Sequence, residues 1–332
     1  MQCLTRATRS TRALDKNNSL AHLSTRFFST SPSHFRLKQV PQLSSWYKPE
    51  FEKKAYIPAL PARLPRSVTD IAPACSKWFI HDADHSLNII NDKDHTIFTP
   101  RSSELRKSFW SAHESITVPL ELTSTTSDGG ECFQRVEDAA LKLLLTYLSN
   151  NNNPLPEKHS IYLAQCDLSS LPKSITNDIP TPSLLQPSSA IKGDIYASSL
   201  WLGRPPTYTP LHRDPNPNLF MQLAGRKFLR LLPPEVGNAI FEDVQNHLDR
   251  THNQVSANIR GDEMMAGPEK LALHNAVWTD NPSANRYADV LATYALKTEV
   301  ELGDALFIPK GWWHSVKGVG EGITASVNWW FR

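Results

Sequence analysis

From residue 195 to the C-terminus the chain is a train of short apolar runs broken by turn residues, and this pattern restricts the fold more than any other feature. The runs cover 195–202, 218–223, 227–232, 300–302, 305–308, 312–316 and 323–331. Each has the length of a strand, and several alternate apolar with polar residues. Many short strands bury their apolar faces by closing two sheets on one another. The expected fold is therefore mainly β with helical additions, a double-sheet β-barrel of the jelly-roll kind.

Helical spacing interrupts the train in a few places. Residues 131–148 give the clearest helical pattern, with Phe133, Val136, Ala140, Leu143, Leu144 and Tyr147 in step and an asparagine run after it. Residues 234–249 and 288–296 read as further helices, and 103–113 as a shorter one. A strand is expected at 160–165 and a proline-rich crossing at 171–187. Short strands are expected at 78–80, 97–98 and 116–122. Residues 36–66, spaced by Pro41, Pro49, Pro58, Pro61 and Pro65, read as a linker or an extended wrap. The remaining 67–332 forms the expected catalytic domain, with its core from about residue 115.

The first 35 residues have another character. Residues 1–40 hold Arg6, Arg9, Arg12, Lys16, Arg26, Arg36 and Lys38 against Asp15 alone, in a chain of formal net charge +2. An Arg- and Ser-rich, acid-poor start is the composition of a mitochondrial presequence, with cleavage expected near Phe28 and a matrix destination. The rest of the chain is mildly acidic and gives no bulk electrostatic case for DNA. No apolar run approaches the roughly 20 residues of a membrane span, so membrane insertion is not expected. Cys3, Cys75, Cys132 and Cys166 form no C-x-x-C pair. Neither a cysteine zinc site nor a disulfide framework is expected.

Two of the runs carry metal-ligand chemistry. Side chains at i and i+2 of a strand point the same way, so His212 and Asp214 can converge while Arg213 points away. His314 follows the turn Pro309-Lys310-Gly311 and can join them from another strand. Two histidines and a carboxylate on one face of an octahedron are the ligand set of oxygen-activating iron(II) sites. With twelve histidines in the chain, an H-x-D triplet alone is weak. His247-Leu248-Asp249 is a second one, but it falls in a helical pattern where i and i+2 diverge by roughly 200°. On 227–232, Lys227 shares the apolar face with Leu229 and Leu231. It must meet an anion there, shift its pKa, or snorkel to water at the strand end.

The stretch TPLHRDPNPNLFMQLAGRKFLRLLPP, followed by GDALFIPKGWWHSV and SVNWWF, resembles the JmjC-type, cupin-like iron(II)- and 2-oxoglutarate-dependent hydroxylases. The similarity is firm over about 190–332 and weaker from about 115. It implies a double-stranded β-helix and iron(II) held by His212, Asp214 and His314. It also implies that Lys227 pairs with the distal carboxylate of 2-oxoglutarate, assisted by Thr209. Asn218 is similar to an amide near the iron-proximal end of that co-substrate. Asn328 is similar to one on the opposite strand, although Thr324, Ser326 and Asn328 could equally be a solvent face. With O2, such a site hydroxylates a C–H bond and releases succinate and CO2.

The substrate, whether protein side chain, RNA base or small molecule, is not specified. Trp312, Trp330 and Tyr208 are candidate pocket residues, with Trp313 and Trp329 packing outside. All four tryptophans can alternatively be core. The tyrosine that some relatives place near the co-substrate has no clear match; Tyr196 and Tyr208 are the candidates. The chain ends at Arg332, so a dimer through C-terminal helices is not expected. Two other readings stand beside this one: a non-catalytic binding protein of the same fold, and a cupin metalloenzyme that does not use 2-oxoglutarate.

Overall fold

The computed structural model describes residues 36–67, 69–82, 90–92, 95–97, 100–125, 130–150, 159–248 and 262–332. The expected presequence lies outside the described residues.

Thirteen strands build the two main sheets among the described residues. In chain order they are β1 (Lys38–Gln39), β2 (Ala62–Leu64), β3 (Thr117–Thr125), β4 (Glu131–Ala140) and β5 (His159–Asp167). Then come β6 (Ile195–Gly203), β7 (Thr207–Arg213), β8 (Asn218–Ala224) and β9 (Arg226–Leu232). The last are β10 (Leu296–Val300), β11 (Ala305–Ile308), β12 (Trp313–Val319) and β13 (Thr324–Phe331). The helices used below are α1 (Leu141–Ser149), α2 (Pro234–His247), α3 (Gly267–Trp278) and α4 (Ala288–Tyr294). The smaller sheet runs β1-β10-β9-β12-β7, and the larger β2-β11-β8-β13-β6-β5-β3-β4.

From β6 to β13 the chain changes sheet at every step except β9 to β10. That alternation is a jelly roll, as the strand train predicts. The helices α2, α3 and α4 all lie in the exception, between β9 and β10.

Strand alternation sends the two faces of the larger sheet to different places. Leu219, Met221, Leu223, Ala325, Val327, Trp329 and Phe331 enter a core on the outer face, where Phe51, Trp78 and Trp110 of the N-terminal region also pack. The inner faces of β8, β9 and β11 give a second, smaller core through Phe220, Leu229, Leu231, Leu306 and Ile308. The outer face of the smaller sheet is covered by α2. Its backbone approaches so closely at Gly237 that a Cβ there would lie 2.1 Å from the Trp313 ring. Trp313 and Trp329 do lie outside the barrel interior, but each is only 1 % exposed, being core under a helix and under the N-terminal region.

Residues 36–66 are a wrap and not a free linker. β1 pairs with β10 and β2 with β11, so the segment covers an edge of each sheet. Asp304, 1 % exposed, holds it through Arg63 (2.6 Å) and Arg66 (2.9 Å).

Several local readings need correction. The helix expected over 131–148 is a strand to Ala140 and a helix only from Leu141. β4 pairs with β3 from Thr117 opposite Ala140 to Thr125 opposite Glu131, and this pairing overrides helical spacing. The expected helix at 103–113 is a strand (Ser103–Leu105) followed by one helical turn and a 3-10 turn. The expected strand at 300–302 ends at Val300, having begun at Leu296, which shortens the preceding helix to Tyr294. Of the strand expected at 97–98, Phe98 lies outside the described residues. α2 ends at His247, and Asp249 of the second H-x-D triplet lies outside the described residues.

Candidate metal centre and adjoining cavity

β7 and β12 are antiparallel neighbours, and their register sets His212 directly opposite His314. Both side chains point into the barrel, with ring centroids 4.1 Å apart and planes tilted by 55°. Asp214 follows at the end of β7, its Oδ2 3.6 Å from His314 Nε2. One ligand atom from each of the three residues lies within 4.8 Å of the other two. All three are buried, at 4 %, 8 % and 4 % exposure for His212, Asp214 and His314.

Hydrogen bonds fix how these groups are presented. His212 Nδ1 lies 2.8 Å from the carbonyl of Pro210, and His314 Nδ1 3.2 Å from that of Trp312. A carbonyl only accepts, so each Nδ1 carries its proton and each Nε2 keeps a lone pair facing the other ligands. Asn218 Nδ2 donates to Asp214 Oδ2 (2.8 Å), and Asn328 Nδ2 donates to Asn218 Oδ1 (2.9 Å). A chain of two amides thus runs across β8 and β13 to the carboxylate. Burial, with His314 beside it, pushes the His212 imidazolium well below its ordinary range. Neutral imidazoles and an adjacent carboxylate are the protonation states that metal binding requires. The donor set therefore fits an octahedral metal bound on one face.

A cavity extends from the three ligands into the barrel, lined by Thr209, Asn218, Lys227, Ser326, Asn328 and Trp330 among others. Lys227 is 3 % exposed, so it does not reach water. Its Nζ donates to Ser326 Oγ (2.6 Å) and lies 3.5 Å from Tyr162 Oη. Among the described residues no carboxylate pairs with it. Desolvation lowers its pKa to about 7. Ser326 and Asn328 face this interior, together with Trp330, and not solvent. An alternating strand looks the same in sequence whether its polar face meets bulk water or a polar cavity.

Some candidates sit elsewhere. Trp312 lies behind the cavity wall in the inner apolar cluster, its Nε1 donating to Ala59 O (3.0 Å). Tyr208 lines a separate cavity. Tyr196 is 47 % exposed under the Arg332 guanidinium, far from a role as a buried anchor. The tyrosine beside Lys227 is Tyr162 on β5, which the sequence reading missed. β5 lies well upstream of the motif blocks, and only the pairing of β5 with β6 brings Tyr162 to the cavity. Trp201 is a further cavity residue that no sequence motif marks. It lines the cavity beside Tyr162, with ring centroids 6.1 Å apart, and its buried Nε1 has no acceptor among the described residues.

A jelly roll whose interior carries two histidines and a carboxylate on neighbouring strands defines the cupin class of β-barrel. The cupin-like domain profile matches residues 68–332, and the chain belongs to that family, in its JmjC branch. The chain is 25 % identical over 189 residues to the lysine-specific demethylase JMJ30 of Arabidopsis thaliana, covering 57 % of this chain and 37 % of that protein. It is 25 % identical over 217 residues to lysine-specific demethylase 8 of Xenopus tropicalis, covering 65 % and 41 %. It is 24 % identical over 296 residues to Jumonji C domain-containing protein 5 of Drosophila melanogaster, covering 88 % and 60 %. The first two matches thus span about two-fifths of the relatives' own length.

Proposed function

We propose that this protein is an iron(II)- and 2-oxoglutarate-dependent oxygenase that hydroxylates a C–H bond of its substrate. The observation that carries this reading is Lys227, an ammonium 3 % exposed with no carboxylate partner among the described residues, in the same cavity as His212, Asp214 and His314. A buried lysine without an anion is costly, and a dicarboxylate reaching from the three ligands to Lys227 removes that cost. A metal site that used no such co-substrate would leave Lys227 unexplained.

In this reading His212 Nε2, His314 Nε2 and the Asp214 carboxylate hold iron(II). The bound metal supplies activation of O2, coupled to loss of CO2 from 2-oxoglutarate. The residues around it bind and orient. Asn218 and Asn328 fix the Asp214 carboxylate from one side. Lys227 gives the distal carboxylate an ion-paired hydrogen bond, and the Thr209 and Tyr162 hydroxyls donate further hydrogen bonds to the same charged group. Trp201 Nε1 offers a donor to an oxygen of whatever occupies the cavity. Trp330 closes the cavity on the Asn328 side and keeps water from the reacting groups.

Two of the relatives are named lysine-specific demethylases, and an oxidative demethylation begins with the same C–H hydroxylation. It differs only in the collapse of the hydroxylated N-methyl group. The Arg- and Ser-rich N-terminal segment supports a mitochondrial matrix address, tested by whether the mature N-terminus in isolated mitochondria begins beyond Phe28.

The test of the chemistry is spectroscopic. Anaerobic protein with iron(II) should develop a weak visible charge-transfer band when 2-oxoglutarate is added. The band should vanish in His212→Ala and need more 2-oxoglutarate in Lys227→Ala. An intact, iron-loaded protein with no band would overturn the proposal.

A further inference from the structure

A second cavity, of about 770 Å³, lies outside the barrel interior. It runs from β3 and β5 of the larger sheet to the end of β12, with α3 along one side. Among the described residues, Tyr162 and Thr207 line both this cavity and the first. Phe133, Ile161, Leu271 and Val319 give it apolar walls, and Leu271 remains 61 % exposed at the surface.

Its charges do not balance locally. Arg204, Lys270, His274 and Lys317 line it against Glu121 and Glu131. Both carboxylates are already engaged, Glu131 by Lys270 at 2.7 Å and Glu121 by Arg135 at 3.3 Å. Arg204 donates to the carbonyls of Leu148 (2.6 Å) and Asn150 (3.2 Å). That leaves Lys317 and His274. Lys317 Nζ sits 4.4 Å above the Trp278 ring, and among the described residues no carboxylate lies within ion-pair distance of it. Asp280, on the same side, is taken by Arg230 at 2.5 Å. Burial lowers the pKa of His274, and Lys317, Lys270 and Arg230 lower it further. His274 also packs edge-on against Tyr208, 5.2 Å between centroids, so an aromatic surface adjoins the cationic end.

We infer that this cavity binds an organic anion, a phosphate or carboxylate carried on an apolar or aromatic body. Lys317 and His274 take the charged group, and Phe133, Leu271 and Tyr208 take the body. Lys317 is a partly desolvated cation with no carboxylate at ion-pair distance among the described residues, so an anion gives it a charge-assisted hydrogen bond, and the same anion favours protonation of the neighbouring His274. The site is distinct from the dicarboxylate position at Lys227, and its existence does not depend on iron.

The experiment titrates the full chain with phenyl phosphate and, separately, phenylacetate, with benzyl alcohol as the neutral control. At least one anion should saturate, and which one does tells phosphate from carboxylate. Its affinity should fall about tenfold or more in Lys317→Met, in the range of lost contacts to a charged group. Lys317→Gln, with matched thermal unfolding, gives the same comparison if the methionine variant folds poorly. Saturating manganese(II) and 2-oxoglutarate should leave the probe bound. The inference is overturned if neither anion saturates, if the lysine variants bind as well as the parent, or if 2-oxoglutarate displaces the probe competitively. Equal binding of benzyl alcohol also overturns it, since the cavity would then be merely apolar.

Discussion

Lys227 and Ser326 meet inside the barrel at 2.6 Å, an ammonium resting on a hydroxyl in a place closed to water. Desolvation depresses the lysine from 10.5 to about 7. An anion at this point restores the charged form. Above pH 7 the empty protein has lost that proton, so binding 2-oxoglutarate must take one up. Uptake should be near zero at pH 6 and approach about one proton by pH 8.5. Calorimetric titration in two buffers of different ionisation enthalpy measures it. Equal heats in both buffers at pH 8.5 would contradict the role given to Lys227.

The same depression has a consequence for folding. Between about pH 7 and 10.5 the unfolded chain binds more protons than the folded one at this position. Its contribution to stability therefore rises with pH across that window. Below it, the charged lysine is fully destabilising. Lys227→Met should raise the melting temperature of the ligand-free protein at pH 6.5 by on the order of several degrees. The gain should shrink as pH rises toward 10. A lower melting temperature at pH 6.5 would show that the ammonium is compensated in the folded state.

Asn218 joins two functions through one amide, donating to Asp214 and accepting from Asn328. An isosteric Asn218→Leu removes both bonds while keeping the volume. Metal affinity should drop roughly 10- to 100-fold, the usual effect of removing a partner of a ligating carboxylate. Manganese(II) titration followed by electron paramagnetic resonance reads it directly. Unchanged affinity would mean that Asp214 holds its orientation without the amide chain.

Tyr162→Phe removes one hydroxyl beside Lys227. It should weaken 2-oxoglutarate binding about tenfold or more, the worth of a hydrogen bond to a charged group, and leave manganese(II) affinity unchanged. Loss of metal binding as well would assign Tyr162 to the support of the barrel instead.

The turn between β8 and β9 depends on Gly225. It has φ +64°, and a Cβ there would lie 2.3 Å from the Ile323 carbonyl oxygen. Gly225→Ala should destabilise the protein by about 2–4 kcal/mol, combining a left-handed conformation with a backbone clash. Denaturant titration checks the value. A change under 0.5 kcal/mol would mean that the turn relaxes freely.

The jelly roll was legible because strand length and alternation are local properties, and β6 to β13 follow one another along the sequence. His212, Asp214 and Lys227 were legible for the same reason: each shares a strand face whose direction period-two counting predicts. His314 needed only the turn before it. Position decided by partners was not legible. Glu131–Ala140 has helical spacing yet lies flat against β3. Trp312 precedes the strand proper, so alternation counted back from His314 did not apply to it. Tyr162 reaches Lys227 through a strand added at the side of the barrel, and no spacing within the motif blocks points to it.

The central claim is that His212, Asp214 and His314 bind one metal while 2-oxoglutarate spans from it to Lys227. Crystals grown anaerobically with iron(II) and 2-oxoglutarate, measured across the iron absorption edge, test it most directly. The account predicts a single anomalous peak within bonding distance of His212 Nε2, His314 Nε2 and an Asp214 oxygen, with density continuing to the Lys227 ammonium. A peak at other residues, or an iron-loaded crystal whose co-substrate density avoids Lys227, would contradict it.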